Sequence, residues 1–187
     1  ALPISLGHVL APAHDMAREY RIIAAVGTTG VPVPPALGLC TDESVNGAPF
    51  YVMGFVDGVV LDAPEKAHLL SPAAKVSASH HLIDVLADLH AVDVDAIGLG
   101  DLAKREGYIE RQVKRWSTQW EHSKTRELPA IDEVARLLRD RLPVQQGVSI
   151  AHGDYRFGNC ITDVHAGRIA AVLDWELCTL GDPLADV

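Results

Sequence analysis

Residues 150–176 read IAHGDYRFGNCITDVHAGRIAAVLDWE, and the rest of the chain is arranged around them. Two short apolar runs, 159–162 and 168–173, flank a turn containing His165, Ala166 and Gly167, which is the pattern of a β-hairpin. A turn centred between Ala166 and Gly167 pairs residues whose numbers sum to 333, and this sets Asn159 opposite Asp174. Both oxygen-bearing side chains are then expected at the open end of one hairpin, close enough to share a cation. Asp154 precedes Asn159 by five residues on the loop that enters the hairpin, so a further carboxylate is expected at the same end.

Magnesium takes oxygen ligands and keeps several waters, so an amide and a carboxylate completed by nucleotide phosphates suit it. An Asp beside such a cation can orient a hydroxyl and accept its proton while the phosphate charge is neutralised. Each of these residues alone would also fit a turn cap; their joint spacing is what points to phosphoryl transfer. Protein kinases place an Asp and an Asn five residues apart, with a metal-binding Asp further on. Here HGD (152–154) replaces their HRD, and LDWE (173–176) stands where DFG would be. With those replacements the stretch resembles the aminoglycoside phosphotransferase and choline-kinase-like group, the small-molecule branch of the protein-kinase-like fold.

The resemblance implies ATP and Mg2+ as cofactors. It makes Asp154 the catalytic base, Asn159 and Asp174 the magnesium ligands, and His152 a catalytic-loop residue that braces the loop. Arg156, two residues after Asp154, is placed to contact the transferring phosphate, because a guanidinium forks onto phosphate oxygens. Phe157, Gly158 and Trp175 read as local packing.

Composition bounds the partners. A chain of 187 residues, with 48% hydrophobic and 22% charged content, can bury a core of ordinary kind. It has no run of about 18 apolar residues to span a membrane, and no basic start followed by an apolar core and cleavage site. Cys40, Cys160 and Cys178 are odd in number and lack CxxC spacing, so free thiols and a cytoplasmic location are expected. A formal charge of −9 argues against nucleic-acid or anionic-membrane partners. It leaves ATP open, since a magnesium-nucleotide site needs only local cations.

Along the chain, residues 1–11 show no periodicity. From Pro12 the pattern is helical, with Met16, Tyr20, Ile23 and Gly27 on one face and Ile22 and Val26 widening it. Glu19, between Arg18 and Arg21, reads either as a solvated charge or, by the resemblance, as the helix acid of the nucleotide site. Segments 36–40 and 49–56 read as strands joined by a turn containing Asn46-Gly47, and Asp57-Gly58 as a hinge. Ser71-Pro72 opens a helix running to about Ala91. His80 and Asp84 lie one turn apart on it but lack the ligand count of a metal site. His90 reads as structural, by its likeness to a buried helix end under the catalytic loop. Segment 108–124 is amphipathic, and Trp116 and Trp120 on its stripe are expected in packing, with a share available to an acceptor cleft. A further helix, 129–141, turns Ile131, Val134, Leu137 and Leu138 inward, and 148–151 is a short buried strand.

The expected fold is therefore α+β and protein-kinase-like with two lobes. Residues 1–57 form a partial nucleotide-side lobe of a helix and two strands. Residues 58–187 form a mostly helical lobe that carries the catalytic hairpin. AHDMAREYRII (13–23), NGAPFYVM (46–53) and LDWELCTLGDPLADV (173–187) together are closest to the phosphotransferase domains joined, in some proteins, to acyl-CoA dehydrogenase domains. That subgroup implies a fused dehydrogenase domain and a small-molecule hydroxyl, such as that of a hydroxyacyl compound, as acceptor. No GxGxxG or GxxxxGK string stands in the sequence, and the strand lysine or arginine that the resemblance would pair with Glu19 is expected outside it. Weak ATP binding and little turnover are accordingly expected of these residues alone, and a non-catalytic kinase-like module is the alternative.

Overall fold

The structure, a computed structural model, describes residues 15–187. The unpatterned start and the helical turn expected from Pro12 lie outside the described residues. Helix α1 (Met16–Val26) begins after Asp15, whose carboxylate accepts the Arg18 N–H at 3.0 Å. Its inner face buries Met16, Glu19, Ile22, Ile23 and Val26 against an antiparallel pair, β1 (Ala36–Cys40) and β2 (Phe50–Met53). The turn between these strands holds one unexpected helical turn, α2 (Glu43–Asn46), capped by Asp42 and closed by Gly47 at φ 76°. Glycine takes that left-handed conformation without steric cost. β2 stops at Met53, short of the expected strand, and Gly54 then donates back to the Pro35 carbonyl at 2.8 Å.

After Asp57-Gly58 comes a two-residue strand, β3 (Val59–Val60), too short to leave a periodic signal. Helix α3 (Pro72–His90) starts where Ser71-Pro72 predicts, with Ser71 Oγ accepting the Ala74 N–H at 3.1 Å. It buries Ala74, Ala78, Val85, Leu86 and Leu89, and leaves Val76 and Ile83 of its apolar set exposed.

Helices α4 (Tyr108–Ser123) and α5 (Pro129–Asp140) form as expected, but their apolar stripes do not enter the core. Trp116 is 53% exposed, Val134 53% and Leu138 50%, and Ile131 is exposed too. The stripes face each other across a groove, which corrects the expected packing.

Strands β4 (Ser149–Ala151), β5 (Cys160–Asp163), β6 (Arg168–Val172) and β7 (Thr179–Gly181) complete the fold. β4 pairs antiparallel with β7, and β3 joins the β5–β6 hairpin in the order β3-β5-β6. One cluster containing Ile22, Ile23, Leu89, Ile150, Val172, Trp175 and Leu180 runs from α1 through α3 to these strands. Each fully buried Leu or Ile contributes about 2 kcal/mol, so the hairpin is held to both helices chiefly by apolar burial. The architecture is α+β, helices with small antiparallel sheets.

Candidate active site

The hairpin pairs Cys160 with Val172 and Ile161 with Ala171, one step short of the expected register. Asn159 therefore meets Leu173, whose N–H donates to the Asn159 carbonyl at 2.8 Å, and Asp174 comes next. The shift is the net of two opposed effects, a turn that pairs Asp163 with Arg168 two steps short of that register and a bulge that recovers one step. The Asp163 carboxylate accepts the N–H groups of His165 at 2.9 Å and Ala166 at 3.0 Å, giving a wider turn than the symmetrical one expected. A bulge then changes the register between Ile161 and Thr162, leaving Ala170 unmatched.

Asp174 has φ 63°, left-handed for a residue other than glycine. Such a backbone costs of order 1 kcal/mol and persists where its neighbours enforce it. Leu173 is fixed through its N–H and its carbonyl, the latter 2.9 Å from His152 Nε2. Trp175 is fully buried and donates from Nε1 to the Val172 carbonyl at 3.2 Å. The exposed Asp174 carboxylate is thus held at the hairpin end by two anchored neighbours.

Asn159 is buried, and its Nδ2 donates to the Asp154 carbonyl at 2.9 Å and to Asp154 Oδ2 at 2.7 Å. With the nitrogen so engaged, Oδ1 is the atom the side chain can offer a cation. An amide oxygen and a carboxylate are hard donors of the kind magnesium takes, so this pair fits the ion that the sequence implies. Among the described residues no group of three or more His, Cys, Asp or Glu forms another candidate metal site. Arg156 Nε lies 3.2 and 3.1 Å from the two oxygens of Asp154. Its guanidinium passes over Gly158, where a Cβ would stand 2.1 Å from Nη1.

His152 is fully buried between the rings of Tyr155 and Trp175. Nε2–H donates to the Leu173 carbonyl, and Nδ1 accepts the Asp154 N–H at 3.3 Å. Burial pushes its pKa below the ordinary histidine value, so the ring is neutral near pH 7. Named among the catalytic residues, it acts here as a positioning group that ties the loop of Asp154 to the strand end of Asp174.

Asp186, within the stretch 173–187 but given no role by the sequence, is the clamp of this loop. Its buried carboxylate accepts the N–H groups of His152 and Gly153, each at 2.8 Å, and lies 3.0 Å from His90 Nε2. Burial works to raise its pKa, and the hydrogen bonds from His90, Gly153 and His152 outweigh it, holding the group below its ordinary 3.8. His90 and Asp186 are 96 residues apart, and no spacing rule signals that they meet.

Glu19 is 7% exposed and accepts the Tyr51 hydroxyl at 3.0 Å, so the solvated reading of this acid is set aside. Burial first, and then the Glu19 charge, push the Tyr51 hydroxyl well above the usual tyrosine range, and Asp174 adds in the same direction. Glu19 and Asp174 therefore both act on one tyrosine. Arg18 reaches the Cys178 carbonyl, and Arg21 pairs with Asp101.

A cavity of about 890 Å³ opens between α4 and α5 and reaches Gly153 and Leu177, beside Asp154. Trp116, Val134, Leu138 and Arg115 are among its walls. Trp120 also faces it, with its buried Nε1 unpartnered by protein.

The profile of the phosphotransferase enzyme family matches residues 3–187. Acyl-CoA dehydrogenase family member 10 of Mus musculus is 40% identical over 181 residues, which are 97% of this chain and 17% of that protein. The chain thus spans about a sixth of the length of that relative. A solved Ralstonia eutropha chain, whose aminoglycoside phosphotransferase name is provisional, superposes with TM-score 0.82 at 42% identity, covering 94% of this chain and 53% of that one. The GDP complex of aminoglycoside 2'-phosphotransferase-IIIa superposes with TM-score 0.70 at 17% identity, covering 93% and 60%, a likeness of fold alone.

Proposed function

The chain belongs to the phosphotransferase enzyme family, and from that premise we propose that it carries the catalytic loop and metal pair of an ATP- and magnesium-dependent kinase of small-molecule hydroxyls. The observation that carries this reading is the Asn159 amide. Its nitrogen orients Asp154 while its oxygen remains for a cation, with Asp174 one residue beyond its hairpin partner. Nucleotide use is further supported by the GDP bound to the structurally similar aminoglycoside 2'-phosphotransferase-IIIa.

In this mechanism Asp154 accepts the proton of the acceptor hydroxyl as that oxygen bonds to the γ-phosphorus. The bond from phosphorus to the β–γ bridging oxygen breaks, and ADP leaves. When bound, magnesium held by Asn159 and Asp174 would neutralise charge on the phosphates. Arg156 leaves the Asp154 carboxylate for the transferring phosphate, where its fork of N–H donors stabilises the equatorial oxygens. His152 and Asp186 keep the loop in place, and Glu19 lies on the nucleotide side.

For the acceptor we propose a hydroxyacyl compound. The apolar walls of the α4–α5 cavity beside Gly153 suit an acyl chain, and the Mus musculus relative is named for acyl-CoA dehydrogenation. The test offers the whole protein ATP, Mg2+ and a panel of hydroxyacyl-CoA thioesters beside aminoglycosides, and follows phosphorylated product by mass spectrometry. Product from the thioesters and none from aminoglycosides is expected. Product from aminoglycosides alone overturns the acceptor, and no ADP formation with any acceptor favours the non-catalytic alternative. That second reading has one observation behind it, the Arg156 Nε lying on both oxygens of the base.

A further inference from the structure

β6 is the outer strand of its sheet, paired with β5 on one side and with no other strand among the described residues. A regular strand directs alternate backbone N–H groups to each side. Along the outer side of β6 the donors are three residues apart. Ile169 N–H goes to His81 Nδ1 at 3.0 Å, and Val172 N–H goes to the Pro32 carbonyl at 2.9 Å. The unmatched Ala170 between them accounts for the odd spacing. Neither partner is a strand: one is a side chain of α3, the other the segment before β1.

We propose that His81 is a positioning residue of the catalytic hairpin, pinning the turn side of this bulge while Pro32 pins the other side. The bulge sets the site geometry. Thr162 pairs with Ile169, and that pairing continued without a bulge would set Asn159 opposite Val172, with Asp174 two residues further on. The bulge moves Leu173 opposite Asn159 and Asp174 just past it. One residue of slip is about 3.3 Å along a strand and a change of face, enough to part the two oxygens from a shared cation.

The chemistry of residue 81 follows from the donor it meets. Ile169 N–H needs an acceptor at the end of a short side chain, which Nδ1 supplies. Arg168 Nη2 lies 3.3 Å from the other ring nitrogen, so the imidazole is flanked by the backbone and a side chain of the strand it holds. α3 also packs its first turn on the hairpin turn, where a Cβ at Gly167 would stand 2.5 Å from the Ala74 carbonyl oxygen. The helix thus contacts both the turn and the bulge.

The consequence for metal binding rests on reading Asn159 and Asp174 as the magnesium pair. The pinning itself does not, and the experiment separates them. In the whole protein, His81→Leu keeps apolar bulk and removes the acceptor, whereas His81→Asn returns an amide oxygen near the position of Nδ1. Amide hydrogen exchange across 168–174 is read beside magnesium-dependent ATP binding and thermal melting. His81→Leu should speed exchange at Ile169 and its neighbours by about tenfold or more, with His81→Asn staying within about threefold of wild type. Magnesium-dependent ATP affinity should fall by about tenfold in His81→Leu and recover in His81→Asn. Wild-type exchange in His81→Leu overturns the proposal. So does equal loosening in both variants, which would make residue 81 a matter of packing. If exchange responds as expected while wild type binds ATP without regard to magnesium, the pinning stands and the metal reading falls.

Discussion

At Asp154 the carboxylate is held by donors of two kinds. The Asn159 amide is fixed by a second bond to the Asp154 carbonyl, whereas the Arg156 guanidinium arrives through Nε alone on a half-exposed side chain. The first belongs to the loop's architecture; the second can leave. Gly158 decides whether Arg156 can come this close, because its missing Cβ is the space beside Nη1. Gly158→Ala should cost under about 1 kcal/mol of stability, since the far end of a flexible arginine gives way before backbone does. It should lower phosphate transfer by about tenfold, as Arg156→Ala should too, with the double variant no worse than either, because both act through one guanidinium. Additive losses in that cycle, measured on the accepted substrate, would separate Gly158 from Arg156.

At the scale of elements, the loop from β4 to β5 is gripped by Asp186 from beneath and by His152 from behind. Three hydrogen bonds outweigh burial and keep the Asp186 carboxyl below its ordinary value, so the folded state favours its charged form. The stability it contributes is complete above about pH 5 and is lost as pH falls through the lowered folded pKa. Asp186→Asn loses acceptors for the His90, His152 and Gly153 donors and should be less stable by about 1–3 kcal/mol at pH 7, and its stability should fall less steeply than wild type below about pH 4. Parallel acid limbs in denaturant titrations would contradict this assignment.

The same loop marks where local reading stops. Ser71-Pro72 announced α3 correctly because a cap and an N1 proline act on adjacent residues. The turn at 164–167 was legible for the same reason, but the register was not, since the turn closes on Asp163 and Arg168, two steps short of the symmetrical pairing, and the bulge at Ala170 recovers only one of them. β3 and β7 escaped notice because strands of two and three residues have no period and find their partners far along the chain.

For the whole molecule, the site residues named from the sequence fall into two groups. Asp154, Asn159, Arg156 and Asp174 meet around the hairpin end, with His152 beneath them, while Glu19 stands on α1 and reaches the group through Tyr51. A division near Asp57, with a nucleotide-side lobe before it and a helical lobe after it, remains our proposal for how ATP is held between them. The apolar stripes of α4 and α5 were legible as helices, and that of α4 as offering a share to a cleft, but α5 was read as packed inward, since amphipathicity tells which side avoids water and not what covers it.

On the proposed mechanism, Asp154 takes the proton in a magnesium-dependent phosphoryl transfer. Its most direct test is the rate of ATP-dependent phosphorylation of the accepted hydroxyl by the whole protein carrying Asp154→Asn, with folding verified by its melt. A positioned general base contributes about 100- to 10,000-fold, so the variant should lose at least about 100-fold in kcat while ATP affinity stays within a few-fold. A rate within a few-fold of wild type would contradict Asp154 as the base, and with it the proposed chemistry of the site.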